Sequence, residues 1–347
     1  MKHCFCLFSF LFSLCFYSRG QDSHFTQLNS AFLSVNPALT GVFDNHNNDS
    51  VGAYMHNRAI IGVTNRNQWQ GSTSPFSSWQ AQMNIRLGSL EKNINDGNLE
   101  NRFNIGLSIL QDKSLYGILK KNAASISLSY QLPLSKEQTS LGIGFNSTFS
   151  RRQLDVSGIS FANQFTSYGF DVNNISSGES GILNAKSFIS LSTGLLLSCR
   201  SIGSKRFFKI GTALYNFNKP KESFLNDTKN FVPLRSVAHF SYINYRSAGK
   251  VETFGIYQQQ AGTKDYVFGL VSDYFFKSKS DVESIRQNSF GLGVLYRHKD
   301  AVAPYFRLEI NNLLIACSYD VTTSDLGASM SKAQSLELTI QYRIKKK

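Results

Sequence analysis

The sequence predicts an all-β protein, a transmembrane antiparallel up-and-down β-barrel of the outer-membrane type with about fourteen strands. Three observations lead to this prediction. Apolar and polar residues alternate with a period of two through most of the chain, and the chain begins with the layout of a secretory signal. No later stretch has the ~18 continuous apolar residues that a transmembrane helix needs.

Residues 1–20 form the predicted signal peptide. Lys2 and His3 precede an apolar run from Cys4 to Tyr17, and this run is too short to cross a bilayer. We expect cleavage near Gly20 and export to the outer membrane.

The next segment, 21–50, is predicted to be a periplasmic or plug-like unit in front of a barrel domain at 51–347. The start of this segment fits neither a helical nor a strand period. Its apolar residues gain nothing by staying in water, so they should pack into the periplasmic mouth or the lumen. Pro37 and Gly41 are expected to set the turn by which the segment enters the first strand.

The barrel strands are recognised by strict alternation. From Ala124 to Leu132 every second residue is apolar and the residues between are Ser or Gln, and Leu336 to Ile344 repeats the pattern. Similar runs predict strands at 52–70, 76–88, 103–112, 119–132, 139–152, 186–200, 206–217, 233–246, 250–260, 264–277, 287–298, 302–310, 312–322 and 334–343.

Two further features favour a membrane barrel over a soluble β-sandwich. Tyr and Phe residues lie at strand ends on the apolar face, as aromatic girdles do. Charged residues inside strands fall on the opposite face, where they would line a lumen. We expect Arg297, Asp320, Glu337 and Arg343 to form lumen ion pairs and hydrogen bonds that hold the strand register.

Loop parity orients the predicted barrel. If both termini are periplasmic, the long connections 153–185, 218–232 and 323–333 face outwards and most inner turns are short, which is typical of these barrels. The exception is 89–102, which would be either a misplaced strand boundary or a periplasmic docking loop.

Composition and motifs exclude several classes of function. The net charge of +13 falls to +11 when Lys2 and Arg19 are removed with the signal peptide. The remaining Lys and Arg residues are spread along the sequence and do not form one basic stripe. This distribution suits outer-membrane lipid and lipopolysaccharide better than nucleic acid. No metal-ligand spacing, phosphate loop or catalytic triad stands out, so we expect no cofactor, no metal site and no enzymatic activity. Cys199 and Cys317 are expected to be unpaired.

The sequence also resembles the PorP/SprF family of Bacteroidetes outer-membrane proteins. Its N-terminal pattern, QDxxFxQ followed by NPAxxG, is matched by Gln21, Asp22, Phe25, Gln27, Asn36, Pro37, Ala38 and Gly41. The family's RxQW…P pattern is matched by Arg66, Gln68, Trp69 and Pro75, and its later YR and GYSYD patterns by Tyr296, Arg297 and 317–320. Cys317 replaces a Tyr of that pattern, and the chain lacks the terminal aromatic residue common in outer-membrane barrels.

The resemblance implies a non-enzymatic component of the type IX secretion machinery. Such a protein would cooperate with periplasmic and outer-membrane components of that machinery, as a core part or as a paralogue linked to one secreted cargo or gliding adhesin. Candidate docking residues are then Asn36, Pro37, Gly41, Arg66, Gln68 and Trp69, although Trp69 fits a girdle or lumen-packing role better. The alternatives are a FadL-like or porin-like channel for small solutes and a secreted β-sandwich adhesin.

Overall fold

A computed structural model gives the fold of the chain. It describes residues 25–27, 30–43, 57–69, 75–87, 102–114, 117–135, 139–154, 162–171, 173–174, 186–201, 205–222, 230–276, 288–323 and 334–345. The predicted signal peptide and the predicted long inner turn at 89–102 lie outside the described residues, apart from Arg102.

The described residues contain sixteen strands. In chain order these are β1 (Asn57–Gln68), β2 (Phe76–Arg86), β3 (Arg102–Ser114), β4 (Leu119–Pro133), β5 (Thr139–Leu154), β6 (Phe165–Thr166), β7 (Gly169–Phe170), β8 (Lys186–Ser201), β9 (Arg206–Tyr215), β10 (Arg235–Arg246), β11 (Gly249–Gln260), β12 (Thr263–Phe276), β13 (Asn288–Arg297), β14 (Ala301–Ile310), β15 (Leu313–Thr322) and β16 (Ser335–Lys345).

Fourteen of these strands form one closed antiparallel barrel. Each strand pairs with its neighbours in sequence, and β1 closes the sheet by pairing with β16 from Ala59↔Ile344 to Gln68↔Ser335. Closure pairs the backbone groups that an open edge would expose to lipid. The predicted up-and-down barrel of fourteen strands is therefore confirmed.

The strand boundaries agree closely with the alternation in the sequence. The predicted start of the first strand, 52–56, lies outside the described residues, and β9 ends at Tyr215 because Asn216 adopts a left-handed φ of 59°. The small hairpin β6–β7 lies inside the predicted loop 153–185 and was missed, since each of its strands has only two residues.

The two faces of the barrel differ as the period of two predicts. Exposed apolar residues such as Leu128, Leu292 and Leu338 cover the outside. Buried polar and charged residues, including Arg307 and Glu337, point inwards. Within the described residues, no helix is long and apolar enough to cross a membrane.

We call the barrel end that carries the β5–β8 connection the upper mouth, and the end at which β16 finishes the lower mouth. The turn at Ser247–Ala248 and the turn at Asn311–Asn312 belong to the lower mouth.

Candidate functional site: the segment inside the barrel

Residues 25–27 and 30–43, which we call the inner segment, lie in the barrel interior. Gln27 contacts β15 and β16 near the upper mouth, Asn36 contacts β8, β9 and β10 at mid-height, and Gly41 contacts Arg86 near the lower mouth. The inner segment therefore runs from the upper to the lower mouth, and the chain then enters β1 from below.

The sequence predicted neither helix nor strand at the start of the inner segment, but the segment contains two short helical elements. Phe32–Val35 form one helical turn and Pro37–Leu39 form a short 3₁₀ helix. Asn36 caps the 3₁₀ helix with its side-chain oxygen, and Pro37 occupies the first helical position, where a missing N–H costs nothing. Both elements are too short for a periodicity analysis to detect.

Its upper anchor is a buried charge cluster on the closing strands. Arg66 of β1 is opposite Glu337 of β16 in register, and its guanidinium lies 3.0 Å from that carboxylate and 2.7 Å from Asp320. Arg66 and Glu337 are 1% and 0% exposed, so each charge is stabilised by the ion pair and not by hydration.

The backbone of the inner segment completes this cluster. The N–H groups of Thr26 and Gln27 donate to the two oxygens of Glu337 at 2.7 and 2.9 Å, and the Thr26 hydroxyl donates to Asp320 at 3.0 Å. Arg66 also donates to that hydroxyl. The segment and the seam between β1 and β16 are thus held by the same carboxylates.

At mid-height the segment is fixed by Asn36. Its side-chain oxygen accepts from the Ala38 N–H at 2.8 Å, which identifies Nδ2 as the donor on the other side. Nδ2 lies 2.9 Å from the Leu195 carbonyl oxygen, 3.2 Å from that of Thr212 and 3.0 Å from His239 Nε2. An amide nitrogen cannot accept a hydrogen bond, so the Nε2 that faces it is assigned as the unprotonated nitrogen of the His239 ring.

Glycines in the wall make room for this turn. A Cβ on Gly144 of β5 would overlap the backbone of Ala38, and one on Gly194 of β8 would overlap the Asn36 side chain. The main chain of the inner segment therefore approaches the sheet more closely than any other residue type would allow.

Near the lower mouth the segment ends in a second set of contacts. Gly41 has a φ of 70°, and its carbonyl oxygen accepts from Arg86 Nε at 2.7 Å. The same guanidinium lies 4.7 Å from the centre of the Phe43 ring. The Thr40 carbonyl accepts from Ser129 at 2.8 Å.

One side of the lumen is apolar, which the alternation did not predict. Phe25, Val35 and Leu39 pack against buried inward residues of β8–β15, which include Leu196, Val237, Phe254, Ile256, Val271, Leu295 and Leu314. At these positions the inner face is apolar because it packs against the segment instead of water.

A second charge cluster lies near the lower mouth, and we call it the lower charge cluster. Arg307 contacts Glu252 at 3.0 Å and also Asp273, and Lys250 lies 3.8 Å from Asp273. Arg343 pairs with Glu309. Lys209 belongs to the same region of the wall.

Comparison with known proteins identifies the family. A family model described as "Type IX secretion system membrane protein PorP/SprF" matches residues 17–342, nearly the whole chain. The chain belongs to the PorP/SprF family. A member of this family is a membrane component of type IX secretion, as the resemblance of the sequence implied. No match was found among curated proteins.

Solved barrels similar to this PorP/SprF protein are distant. A FadL homologue from Pseudomonas aeruginosa is 10% identical with a TM-score of 0.43, covering 89% of this chain and 98% of that one. The toluene transporter TodX of P. putida is 9% identical with a TM-score of 0.42, covering 90% and 92%. CdiB from Acinetobacter baumannii is 13% identical with a TM-score of 0.43, covering 83% of this chain and 60% of its own length. At TM-scores below 0.5, none of these likenesses bears on activity.

The residues of this PorP/SprF protein that resemble the family patterns mostly converge on the inner segment. Asn36, Pro37 and Gly41 lie in it, and Arg66 binds it directly. Gln68 accepts from Arg66 Nε at 3.3 Å. Trp69 lies apart from the inner segment, half-buried at the top of β1, and its ring centroid is 5.4 Å from that of Phe76 in an edge-to-face arrangement.

The four predicted lumen residues divide between the two clusters. Arg297 lies 3.7 Å from Asp320 and 3.0 Å from Asp300, so it joins Asp320 and Glu337 in the upper cluster. Arg343 belongs to the lower charge cluster. Docking by the six candidate docking residues, Asn36, Pro37, Gly41, Arg66, Gln68 and Trp69, stays a prediction.

Sequence reasoning missed the partners that act through the backbone or by neutral hydrogen bonds. Thr26 and His239 carry no motif of their own. One feature of the sequence could have indicated them. Asp320 and Glu337 lie close to the β15–β16 connection on the lumen side, and buried carboxylates require hydrogen-bond donors. Within the described residues, no group of three or more His, Cys, Asp or Glu side chains could hold a metal ion, and Cys199 and Cys317 are free thiols.

Proposed function

We propose that this protein is exported by its signal peptide, residues 1–20, to the outer membrane and docks cargo there for type IX secretion or surface attachment, without catalysis. The cargo would be a secreted protein or a surface adhesin such as a gliding adhesin. Family membership supports the secretion role, and the occupied lumen supports docking over conduction.

The observation that carries the docking role is the inner segment. A solute channel needs a continuous wet pathway, whereas Thr26, Asn36 and Gly41 bind the wall at three heights of the lumen. Residues 21–50 would then act as a plug-like unit and 51–347 as the barrel that displays its two mouths to partners.

Orientation follows from the loops. We place the upper mouth outside, facing cargo and lipopolysaccharide, and the lower mouth in the periplasm, facing other secretion components. The exposed hairpin β6–β7, on which Tyr168 is fully exposed, would then extend from the cell surface.

The docking role is tested in a strain that lacks the gene. Loss of a type IX cargo from the cell surface, measured by antibody labelling of intact cells, with unchanged uptake of small solutes supports docking. Normal cargo display with reduced solute uptake would instead establish the channel function.

A variant separates the two roles further. Gly144→Leu should displace the turn at Asn36 and loosen the inner segment, while its position in the middle of β5 leaves the strand pairing available. Docking predicts reduced cargo display from this variant. Heat-dependent mobility on SDS gels checks that the barrel remains folded.

A further inference from the structure

The outward face of the barrel changes from apolar to polar at the upper ends of β3, β4 and β5. Ile109 is the last apolar residue on the outward face of β3 and Phe149 the last on that of β5, and they are 65% and 52% exposed. Above this level the outward side chains are cations or amides. We call these six residues the upper basic patch: Gln111, Lys113, Lys120, Asn122, Arg151 and Gln153.

The upper basic patch contains three cations and no carboxylate. The carboxylates of neighbouring described residues belong to the lumen side of the sheet. Asp112 accepts a hydrogen bond there from the buried Ser78, and Glu222 pairs with Arg152. The patch is therefore cationic on the face that points away from the lumen.

The strand register brings the three cations together. Lys113 of β3 is directly opposite Lys120 of β4. Arg151 of β5 is paired with Asn122 and so lies diagonally across from Lys120. Side chains on one face are about 4.5–5.5 Å apart at Cβ when directly opposite, and about 7–8 Å apart when diagonal. The long Lys and Arg side chains can therefore converge on one small anion.

A phosphate group fits this arrangement better than a carboxylate does. Like charges that are directly opposite on neighbouring strands destabilise a sheet, and Lys113 and Lys120 form such a pair. A phosphate carries about 1.5 to 2 negative charges and three acceptor oxygens, and Arg binds it through two parallel hydrogen bonds. One phosphate can thus accept from all three cations and offset the repulsion between the two lysines.

The patch lies at the height of the lipid head groups. Lys113 is four residues beyond Ile109, and Arg151 is two residues beyond Phe149. At about 3.3 Å per residue and a strand tilt of about 40°, both lie roughly 5–10 Å above the apolar band. The head-group layer on each side of a bilayer is roughly 5–8 Å thick, so the cations reach it.

We propose that the upper basic patch binds the phosphate of a phosphorylated glycolipid, the lipid A part of lipopolysaccharide, whose acyl chains lie against Ile109, Ile126 and Phe149. These three residues are exposed on the outward face directly below the patch. Free phosphate would provide the charge but would leave this apolar surface without a partner. The inference rests on the proposed outer-membrane location and orientation, and it names the residues that hold the lipid.

The test uses the full-length protein in uncharged dodecyl maltoside micelles, with lipid A as the probe and native mass spectrometry to count bound lipid. We expect a saturable site for lipid A. Dephosphorylated lipid A, which has the same acyl chains without the phosphate, should bind at least about tenfold more weakly, because hydrogen bonds to charged groups are lost. Raising the salt concentration should weaken binding of lipid A but not of the dephosphorylated form.

A double variant and a matched control locate the site. Lys113→Gln combined with Arg151→Gln should weaken lipid A binding at least about tenfold and leave binding of dephosphorylated lipid A unchanged. Lys264→Gln combined with Lys299→Gln removes two exposed charges from the upper end of β12 and the β13–β14 turn. This control should bind lipid A within about twofold of the wild type, because charges beyond a Debye length are screened.

Thermal unfolding gives a second readout. Without lipid A, the Lys113→Gln, Arg151→Gln protein should unfold at or above the midpoint of the wild type, because a repulsion between cations is removed. Added lipid A should raise the midpoint of the wild type and of the control but not that of this variant. Heat-dependent mobility on SDS gels confirms that each protein is folded before it is titrated.

Three results would overturn the proposal. Equal binding of lipid A and its dephosphorylated form would show adsorption through the acyl chains alone. Wild-type affinity in the Lys113→Gln, Arg151→Gln protein would place the phosphate elsewhere, and displacement of lipid A by inorganic phosphate at equal concentration would show a site for the free anion. The titration needs neither cargo nor cells, so normal cargo display in the deletion strain would contradict the docking role without changing this result.

Discussion

The guanidinium of Arg66 stabilises the seam between β1 and β16, and the substitution Arg66→Met tests how much it contributes to the free energy of unfolding. The substitution keeps most of the side-chain volume and removes the charge that faces Glu337 and Asp320. Asp320 retains Arg297 at 3.7 Å, whereas Glu337, at 0% exposure, keeps only the N–H groups of the inner segment. An uncompensated buried charge of this kind costs about 3–5 kcal/mol of the free energy of unfolding.

The measurement is guanidinium unfolding of the barrel in nanodiscs, with hydrogen exchange at Thr26 and Gln27 as a local probe. Adding Glu337→Gln to Arg66→Met removes the stranded charge and should recover about 2 kcal/mol. Arg152→Met provides a matched control, because the Arg152–Glu222 pair near the upper mouth is more exposed and its loss should cost less. An Arg66→Met variant within about 1 kcal/mol of the wild type, or no recovery in the double variant, would refute the reasoning.

Three further predictions concern the turn at Asn36 and the orientation of the barrel. Asn36→Asp should lower the midpoint of thermal unfolding more than Asn36→Ala, because a carboxylate would face two carbonyl oxygens; the opposite order would contradict the donor assignment. Gly144→Leu should speed hydrogen exchange of residues 36–40, whereas Gly62→Ala, whose Cβ would lie 3.0 Å from the Gln341 side chain and 3.5 Å from the Ile340 carbonyl oxygen, should not. In a background without native cysteines, Tyr168→Cys should react with a membrane-impermeant maleimide on intact cells and Ala248→Cys should not, and the reverse labelling would invert the proposed orientation.

Much of the barrel could be predicted from the sequence because lipid imposes a simple pattern. Each strand that separates lipid from a polar lumen must alternate, as Leu336 to Ile344 does, and this alternation located every barrel strand. The same logic placed Arg297 and Glu337 inside, since a charge that faces lipid would be costly.

The rest depends on contacts between residues far apart in the chain. Glu337 meets Thr26 and Gln27 across a sequence separation of about 310 residues, and no local pattern encodes such a meeting. The apolar residues on the inner faces of β10 and β12, such as Val237 and Val271, were equally hidden. Strict alternation of apolar and polar residues is expected where the lumen is filled with water. In this barrel the inner segment occupies part of the lumen instead.

The double use of Glu337 has a consequence for how the barrel assembles. β1 and β16 carry the opposite charges of the upper anchor, Arg66 and Glu337, so this anchor is complete only when the two strands pair. A slip of two residues at the seam would keep every side chain on its proper face. It would nevertheless set Arg66 opposite Ser335 or Thr339 and leave Glu337 without its cation. A barrel closed in the correct register therefore has both the charge pair and the complete upper anchor for the inner segment, whereas a barrel slipped by two residues has neither.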